Sequence, residues 1–179
     1  MKKEDVLGVL IPEDELKQIC KKLGKEISRD YEGKNLLLVS VLKGAVVFLS
    51  DLLREITCDC RIDFMAVSSY DGAKSTGFVK FKKDLDISPE GCDILIVEDI
   101  LDSGVTLAYL KNILKDRNAA SIKICTLLDK PDNHKADIRA DYVGATIPDE
   151  FVVGYGLDYD EKYRNLPYIG ILSPAVYEK

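Results

Sequence analysis

Residues 93–106 read DILIVEDILDSGVT. Ile94, Leu95, Ile96 and Val97 make a short apolar run rich in β-branched side chains, the pattern of a buried strand. Two adjacent acids, Glu98 and Asp99, interrupt it, and the strand is expected to end there. A third acid, Asp102, precedes Ser103, Gly104, Val105 and Thr106, and an apolar helix is expected from about residue 105 to 117. A strand passed directly to a helix is the repeating step of an α/β chain, so this stretch sets the fold class.

The flanking sequence repeats the step. Pro12 followed by Glu13, Asp14 and Glu15 marks a helix start, and Leu16, Ile19, Cys20, Leu23 and Ile27 recur at helical spacing behind it. Residues 36–42 predict a buried strand, 46–56 a second helix, 61–70 a strand and 122–128 another. The Gly, Ser and Lys stretch at 71–77 predicts a mobile loop, leading into the alternating residues 78–82 as a hairpin-like excursion. Short apolar runs at 142–147, 151–155 and 168–172 are expected to extend or cap the sheet. The sum is one domain over 1–179: a central, mainly parallel sheet with helices on both faces.

Composition narrows the partners. With 25 basic and 31 acidic residues in 179 the net charge is -6, which disfavours nucleic acid and anionic membranes, since both need clustered Lys and Arg. No targeting signal or bilayer-length apolar run is visible, so the expectation is a cytoplasmic protein acting on small molecules. Cys20, Cys58, Cys60, Cys92 and Cys125 form no CxxC pair and are expected to be reduced thiols; only His134 could join them as a soft metal ligand.

The chemistry follows from position. In open α/β sheets ligands sit beyond the carboxyl ends of strands, where a helix N-terminus offers unpaired amides to an anion. Ser103, Gly104, Val105 and Thr106 lie at that junction, with small side chains and two hydroxyls suited to a monophosphate. Carboxylates beside a phosphate repel it unless they bind sugar hydroxyls, a metal or a moving proton, which suggests those uses for Glu98, Asp99 and Asp102. A plain helix cap accounts for Asp102 or Ser103 but leaves Glu98 and Asp99 without a purpose.

ILIVEDILDSGVTL resembles the phosphoribosyl pyrophosphate motif of type I phosphoribosyltransferases, and the order of the other segments is similar to the hypoxanthine-guanine branch of that family over most of the chain. The resemblance implies that fold, with a small hood built from the N- and C-terminal segments and a flexible lid at about 69–80. It implies transfer of phosphoribosyl from phosphoribosyl pyrophosphate to a 6-oxopurine, with Mg2+ as cofactor, in a homodimer or homotetramer. Glu98 and Asp99 would contact the ribose hydroxyls, residues 102–106 the 5'-phosphate, and Asp102 would exchange a proton with purine N7.

Further motifs carry further implied roles. VLKGA matches the pyrophosphate loop, with an unusual peptide expected between Lys43 and Gly44, and Arg164 would also reach the pyrophosphate. Lys130 in LLDKPD would donate to the purine's exocyclic oxygen. Phe151 would stack on the base, Val152 would offer backbone groups to it, and Asp158 would line the base pocket and join Glu98 and Asp99 around the metal. Ser69 and Tyr70 would close over the reacting centre. Gly154, Tyr155 and Gly156 lack the third glycine and helix of a dinucleotide fingerprint. Where some relatives have a second glycine and a lysine, this chain has Ala45 and Val105. A regulator that keeps the pocket and senses nucleotide supply is the alternative reading.

Overall fold

A computed structural model describes residues 5–69 and 79–178. Its main sheet has six strands in the order β4-β3-β2-β5-β6-β7, namely β2 (Leu36–Leu42), β3 (Cys60–Ser69), β4 (Val79–Lys83), β5 (Asp93–Leu101), β6 (Ser121–Asp129) and β7 (Tyr142–Thr146). All neighbours pair in parallel except β4, which runs antiparallel to β3 as the far arm of the expected hairpin. Helices α1 (Glu13–Asp30), α2 (Val46–Glu55) and α3 (Val105–Asp116) pack on its faces, and a single turn, α4 (Pro174–Tyr177), lies near the end of the chain.

The continuous apolar runs of β2 and β5 arise because successive side chains point to opposite faces and both faces are covered. Leu36, Leu38, Leu95 and Val97 join a core with Leu16, Leu23 and Ile27 of α1 and Phe48, Leu49 and Leu52 of α2. Leu37, Val39, Ile94 and Ile96 pack on the other side with Leu107, Leu110 and Leu114 of α3. The chain leaves β2 through α2 toward β3 and leaves β5 through α3 toward β6, in opposite directions along the sheet. Beyond the carboxyl ends of the adjacent strands β2 and β5 a crevice therefore opens, the position where α/β sheets bind ligands.

A second, three-stranded antiparallel sheet joins the two ends of the chain, in the order β1 (Val6–Ile11), β9 (Ile169–Leu172), β8 (Val152–Val153). The sequence runs at 151–155 and 168–172 thus leave the main sheet: the second pairs with the N-terminal strand and the first with the second, while only 142–147 extends it. Contrary to expectation, β5 does not stop at the acids. Its pairing with β6 includes Glu98, Ile100 and Leu101, so the carboxylates are carried on a strand. Among the described residues no helix is long and apolar enough to cross a membrane. All five cysteines are free thiols.

One buried carboxylate braces the hairpin edge. Asp63, 4% exposed on β3, accepts from the amides of Phe64 (2.7 Å), Asp86 and Ile87 (2.8 Å each) and faces Lys83 Nζ at 3.4 Å. Burial alone would raise this carboxyl, but the three amides and Lys83 hold it below the usual carboxylate range. A depressed acid stabilises the fold above its unfolded pKa of about 4 and loses that contribution as pH falls through the folded value. Asp63→Asn is expected to cost roughly 2–4 kcal/mol in denaturant unfolding at pH 7, with the gap to the parent narrowing below about pH 4.

Candidate functional site

The crevice is built from strand ends and the turns that follow them. As neighbours on a strand, Glu98 and Asp99 diverge to opposite faces. Glu98 lines a cavity of about 190 Å3 with Ile100, Leu101, Asp102, Ser103, Gly104, Thr106 and Leu107. Asp99 turns toward the start of α2, where a Cβ on Gly44 would overlap its Oδ2, so only glycine admits so close an approach. A larger groove of about 580 Å3, lined by Lys21, Lys25 and Arg29 among others, lies away from these strand ends.

Both acids are desolvated. Burial first, then the Asp99 charge, push the Glu98 carboxyl well above the usual range, and its Oε2 is buried without a hydrogen-bond partner. Burial pushes Asp99 up to about 6, against the pull of the Ile100 amide, which donates to Oδ1 at 2.9 Å, and of Arg164. A buried carboxyl oxygen left unpaired in a cleft is costly and marks a place for a ligand.

The loop beyond β5 turns on Gly104, which stands just ahead of α3 with φ +74, a left-handed conformation that suits glycine, and packs against Ile138. No side chain caps α3, so its first amides remain available to an anion. Asp102 and Thr106 are exposed at this mouth and Ser103 is half-buried. Asp102 is not alone there: Asn133 Nδ2 donates to its Oδ1 at 2.8 Å.

The loop after β2 contains a cis peptide, but between Leu42 and Lys43, one bond earlier than the sequence reading placed the unusual peptide. Lys43 Nζ pairs with Glu161 Oε1 at 3.0 Å. Arg164 Nη2 pairs with Asp158 Oδ1 at 2.9 Å and Glu161 Oε2 at 3.2 Å, and its Nη1 donates to the Gly156 carbonyl at 2.8 Å. Lys43 and Arg164 hold the Glu161 carboxyl below the usual range. Asp160, Glu161 and Tyr163 adopt positive φ, a strained run of the kind that collects at functional sites.

Of the expected metal set, Glu98 and Asp99 diverge and Asp158 is engaged by Arg164. Among the described residues no three His, Cys, Asp or Glu side chains gather as a metal cage, so the expected trio does not form one. Lys130 is 8% exposed, its Nζ 2.7 Å from the Glu150 carbonyl and 3.3 Å from Asp149 Oδ1. Phe151, 38% exposed, stacks on Tyr177 with centroids 4.9 Å apart and meets Tyr159 edge-on, while Val152 is buried in β8. Val105 is exposed at the start of α3. Of the expected lid at about 69–80, residues 70–78, Tyr70 among them, lie outside the described residues, and the backbone of Ser69 ends β3.

Sequence reading overlooked Asn133, Asp149, Glu161 and Tyr177. Asn133 and Asp149 lie within reading distance of Lys130, but nothing in their spacing says that they meet Asp102 and Lys130. Glu161 sits in a charged run that resembles solvated surface. His134, the one possible soft ligand, instead bonds to Asp129 at 2.8 Å.

Comparison with known proteins agrees with this geometry. The model of the phosphoribosyl transferase domain matches residues 12–160. The hypoxanthine-guanine phosphoribosyltransferase of Bacillus subtilis is 56% identical over 179 residues, 99% of either chain. The bifunctional protein TilS/HprT of Listeria monocytogenes is 55% identical over 98% of this chain, which spans only 27% of that relative's length. Among solved structures, a hypoxanthine phosphoribosyltransferase from Staphylococcus aureus superposes with a TM-score of 0.95 at 54% identity, covering 98% of this chain and 96% of the other.

The Gly104 turn yields a direct expectation. A Cβ there would collide with Ile138 and force a side chain into the left-handed region, at about 1–2 kcal/mol. Gly104→Ala should weaken ribose 5-phosphate binding by about tenfold or more in calorimetry. Unchanged affinity would exclude this turn as a phosphate-binding candidate.

Proposed function

The chain belongs to the phosphoribosyl transferase family, and from that membership we propose that it transfers phosphoribosyl from phosphoribosyl pyrophosphate to hypoxanthine or guanine, for purine salvage. The observation that carries the reading is the desolvated pair Glu98 and Asp99, with Glu98 Oε2 unpartnered, beside an uncapped helix start. Ribose hydroxyls are neutral donors that satisfy carboxylates without adding charge, while the 5'-phosphate takes the amides of residues 103–106.

In the reaction the bond from the sugar's C1 to pyrophosphate oxygen breaks and a bond from C1 to a purine ring nitrogen forms. The base becomes more acidic as it gives up its electron pair, and Asp102, exposed at the mouth, takes the N7 proton. Lys130 would donate to the oxygen at C6, which favours 6-oxopurines over adenine. Phe151, held by Tyr177 and Tyr159, would present its open face to the ring, and Val152 its backbone. The β1-β9-β8 sheet would be the hood over the base.

Pyrophosphate would displace Glu161 from Lys43 and Arg164, exchanging one carboxylate for a more highly charged anion. The donor set suits Mg2+: hard carboxylate oxygens, one of them an unpartnered Glu98 oxygen, and an ion that takes one or two carboxylates with water and phosphate oxygens. Asp99 and Asp158, on the pyrophosphate side, or Glu98, on the ribose side, would hold it, and it would help to offset the charge of the leaving group. The segment at about 69–80 is read as the lid, since an oxocarbenium-like sugar open to water would be hydrolysed. The same membership suggests a homodimer or homotetramer.

The test is to follow nucleotide formation from phosphoribosyl pyrophosphate, Mg2+ and each purine base. Hypoxanthine and guanine should be converted and adenine not; tight binding of phosphoribosyl pyrophosphate without turnover would favour a sensor instead. Asp102→Asn is expected to slow transfer by roughly 10^2 to 10^4 while leaving the phosphate site intact. Lys130→Ala should chiefly raise KM for the base, by about 10- to 100-fold for a lost charged hydrogen bond; an unaltered base KM would withdraw that role.

A further inference from the structure

The side chains expected to read the purine edge are joined by a continuous hydrogen-bonded chain. Lys130 Nζ faces Asp149 Oδ1 at 3.3 Å, Asn133 Nδ2 donates to that same oxygen at 2.7 Å, and Asn133 Nδ2 also donates to Asp102 Oδ1 at 2.8 Å. An amide nitrogen carries two hydrogens, and here each goes to a different carboxylate. Neither a carboxylate nor a hydroxyl could replace it, because the first has no hydrogen to give and the second has one.

The backbone clamps this residue in place. Asn133 ends a single 3-10 turn, Pro131–Asn133, with its amide donating to the Lys130 carbonyl at 3.0 Å. On one side Lys130 donates to the Leu101 carbonyl at 2.9 Å, and on the other Lys135 and Ala136 both donate to the Ser103 carbonyl, at 2.9 and 3.2 Å. The turn is therefore tied to the loop after β5 on either side of Asp102. Asn133 is itself half-buried, whereas Asp102 and Asp149 are exposed and have no comparable packing to fix their rotamers.

In a 6-oxopurine, N7 and the C6 oxygen are neighbours on one edge. Given the reading above, on which this inference rests, a proton acceptor for N7 and a cation for the oxygen must be held at the matching separation. We propose that Asn133 is a positioning residue that, through Asp149, sets the spacing between Asp102 and Lys130 and so aligns the N7 proton acceptor with the oxygen-binding cation. It holds one oxygen of Asp102, and among the described residues no hydrogen bond is made to the other, Oδ2, which is left to the base. It also separates two carboxylates that would repel each other without a shared donor. Asn133 and then Lys130 hold the Asp149 carboxyl below its usual range, as such a chain requires.

Steady-state kinetics with hypoxanthine, phosphoribosyl pyrophosphate and Mg2+ on Asn133→Ala, Asn133→Ser, Asp102→Asn and the Asn133→Ala/Asp102→Asn pair test this. Asn133→Ala should lower kcat by about tenfold or more, as misplacement of a reacting group does, and raise the base KM, with KM for phosphoribosyl pyrophosphate unchanged. Asn133→Ser, which keeps one donor, should fall between, and gives the same comparison if the alanine variant does not fold. In the Asp102→Asn background Asn133→Ala should cost little further kcat, because the group it aims is gone. Full kcat and base KM in Asn133→Ala, additive losses in the pair, or parallel changes in both KM values with a lowered melting temperature would overturn the role. Failure of the parent to form nucleotide would reject the transferase reading and this role with it.

Discussion

Burial of two adjacent carboxyl groups on one strand is the constraint around which the crevice is arranged. Carboxylates leave water at a cost of several kcal/mol each unless something answers their charge, and Glu98 keeps one oxygen with no answer in the protein. β5 stays paired at Glu98 and again at Ile100 and Leu101, so the backbone that carries both acids is fixed in the sheet. Strand geometry then separates their duties. Glu98 faces the turn before α3, and Asp99 faces the turn before α2. One strand thereby serves two turns at once.

The sheet makes this possible by its order rather than by any single contact. Because β2 and β5 are neighbours whose following helices cover opposite faces, the turns after them open next to each other. Gly44 lets the first turn close on Asp99, and Gly104 lets the second turn start α3 with free amides. The antiparallel sheet built from both ends of the chain contributes Val152 and, next to it, Phe151. The loop between β8 and β9 contributes Asp158, Glu161 and Arg164. The site thus gathers residues from about 40 to 165 through three separate turns and one long loop.

Local patterns made the main elements legible. The apolar runs at 36–42 and 94–97 and the helical spacing after Pro12 were readable because both sheet faces are covered and α1 buries one stripe. Glu98 and Asp99 concealed the true length of β5, since polar residues inside a central strand contradict the usual pattern. The three-stranded sheet was harder still: β8 has two residues, and β1 pairs with a strand some 160 positions away. Side-chain partnerships between loops, such as Asn133 with Asp102 or Glu161 with Lys43, depend on loop geometry that periodicity does not encode.

The most direct measurement is a crystal structure of the protein soaked with phosphoribosyl pyrophosphate and Mg2+. The 5'-phosphate is expected on the amides of residues 103–106 and the ribose hydroxyls within about 3.2 Å of the Glu98 and Asp99 carboxylates. A ligand seated elsewhere, or a bound sugar with Glu98 Oε2 still lacking any polar neighbour, would contradict this.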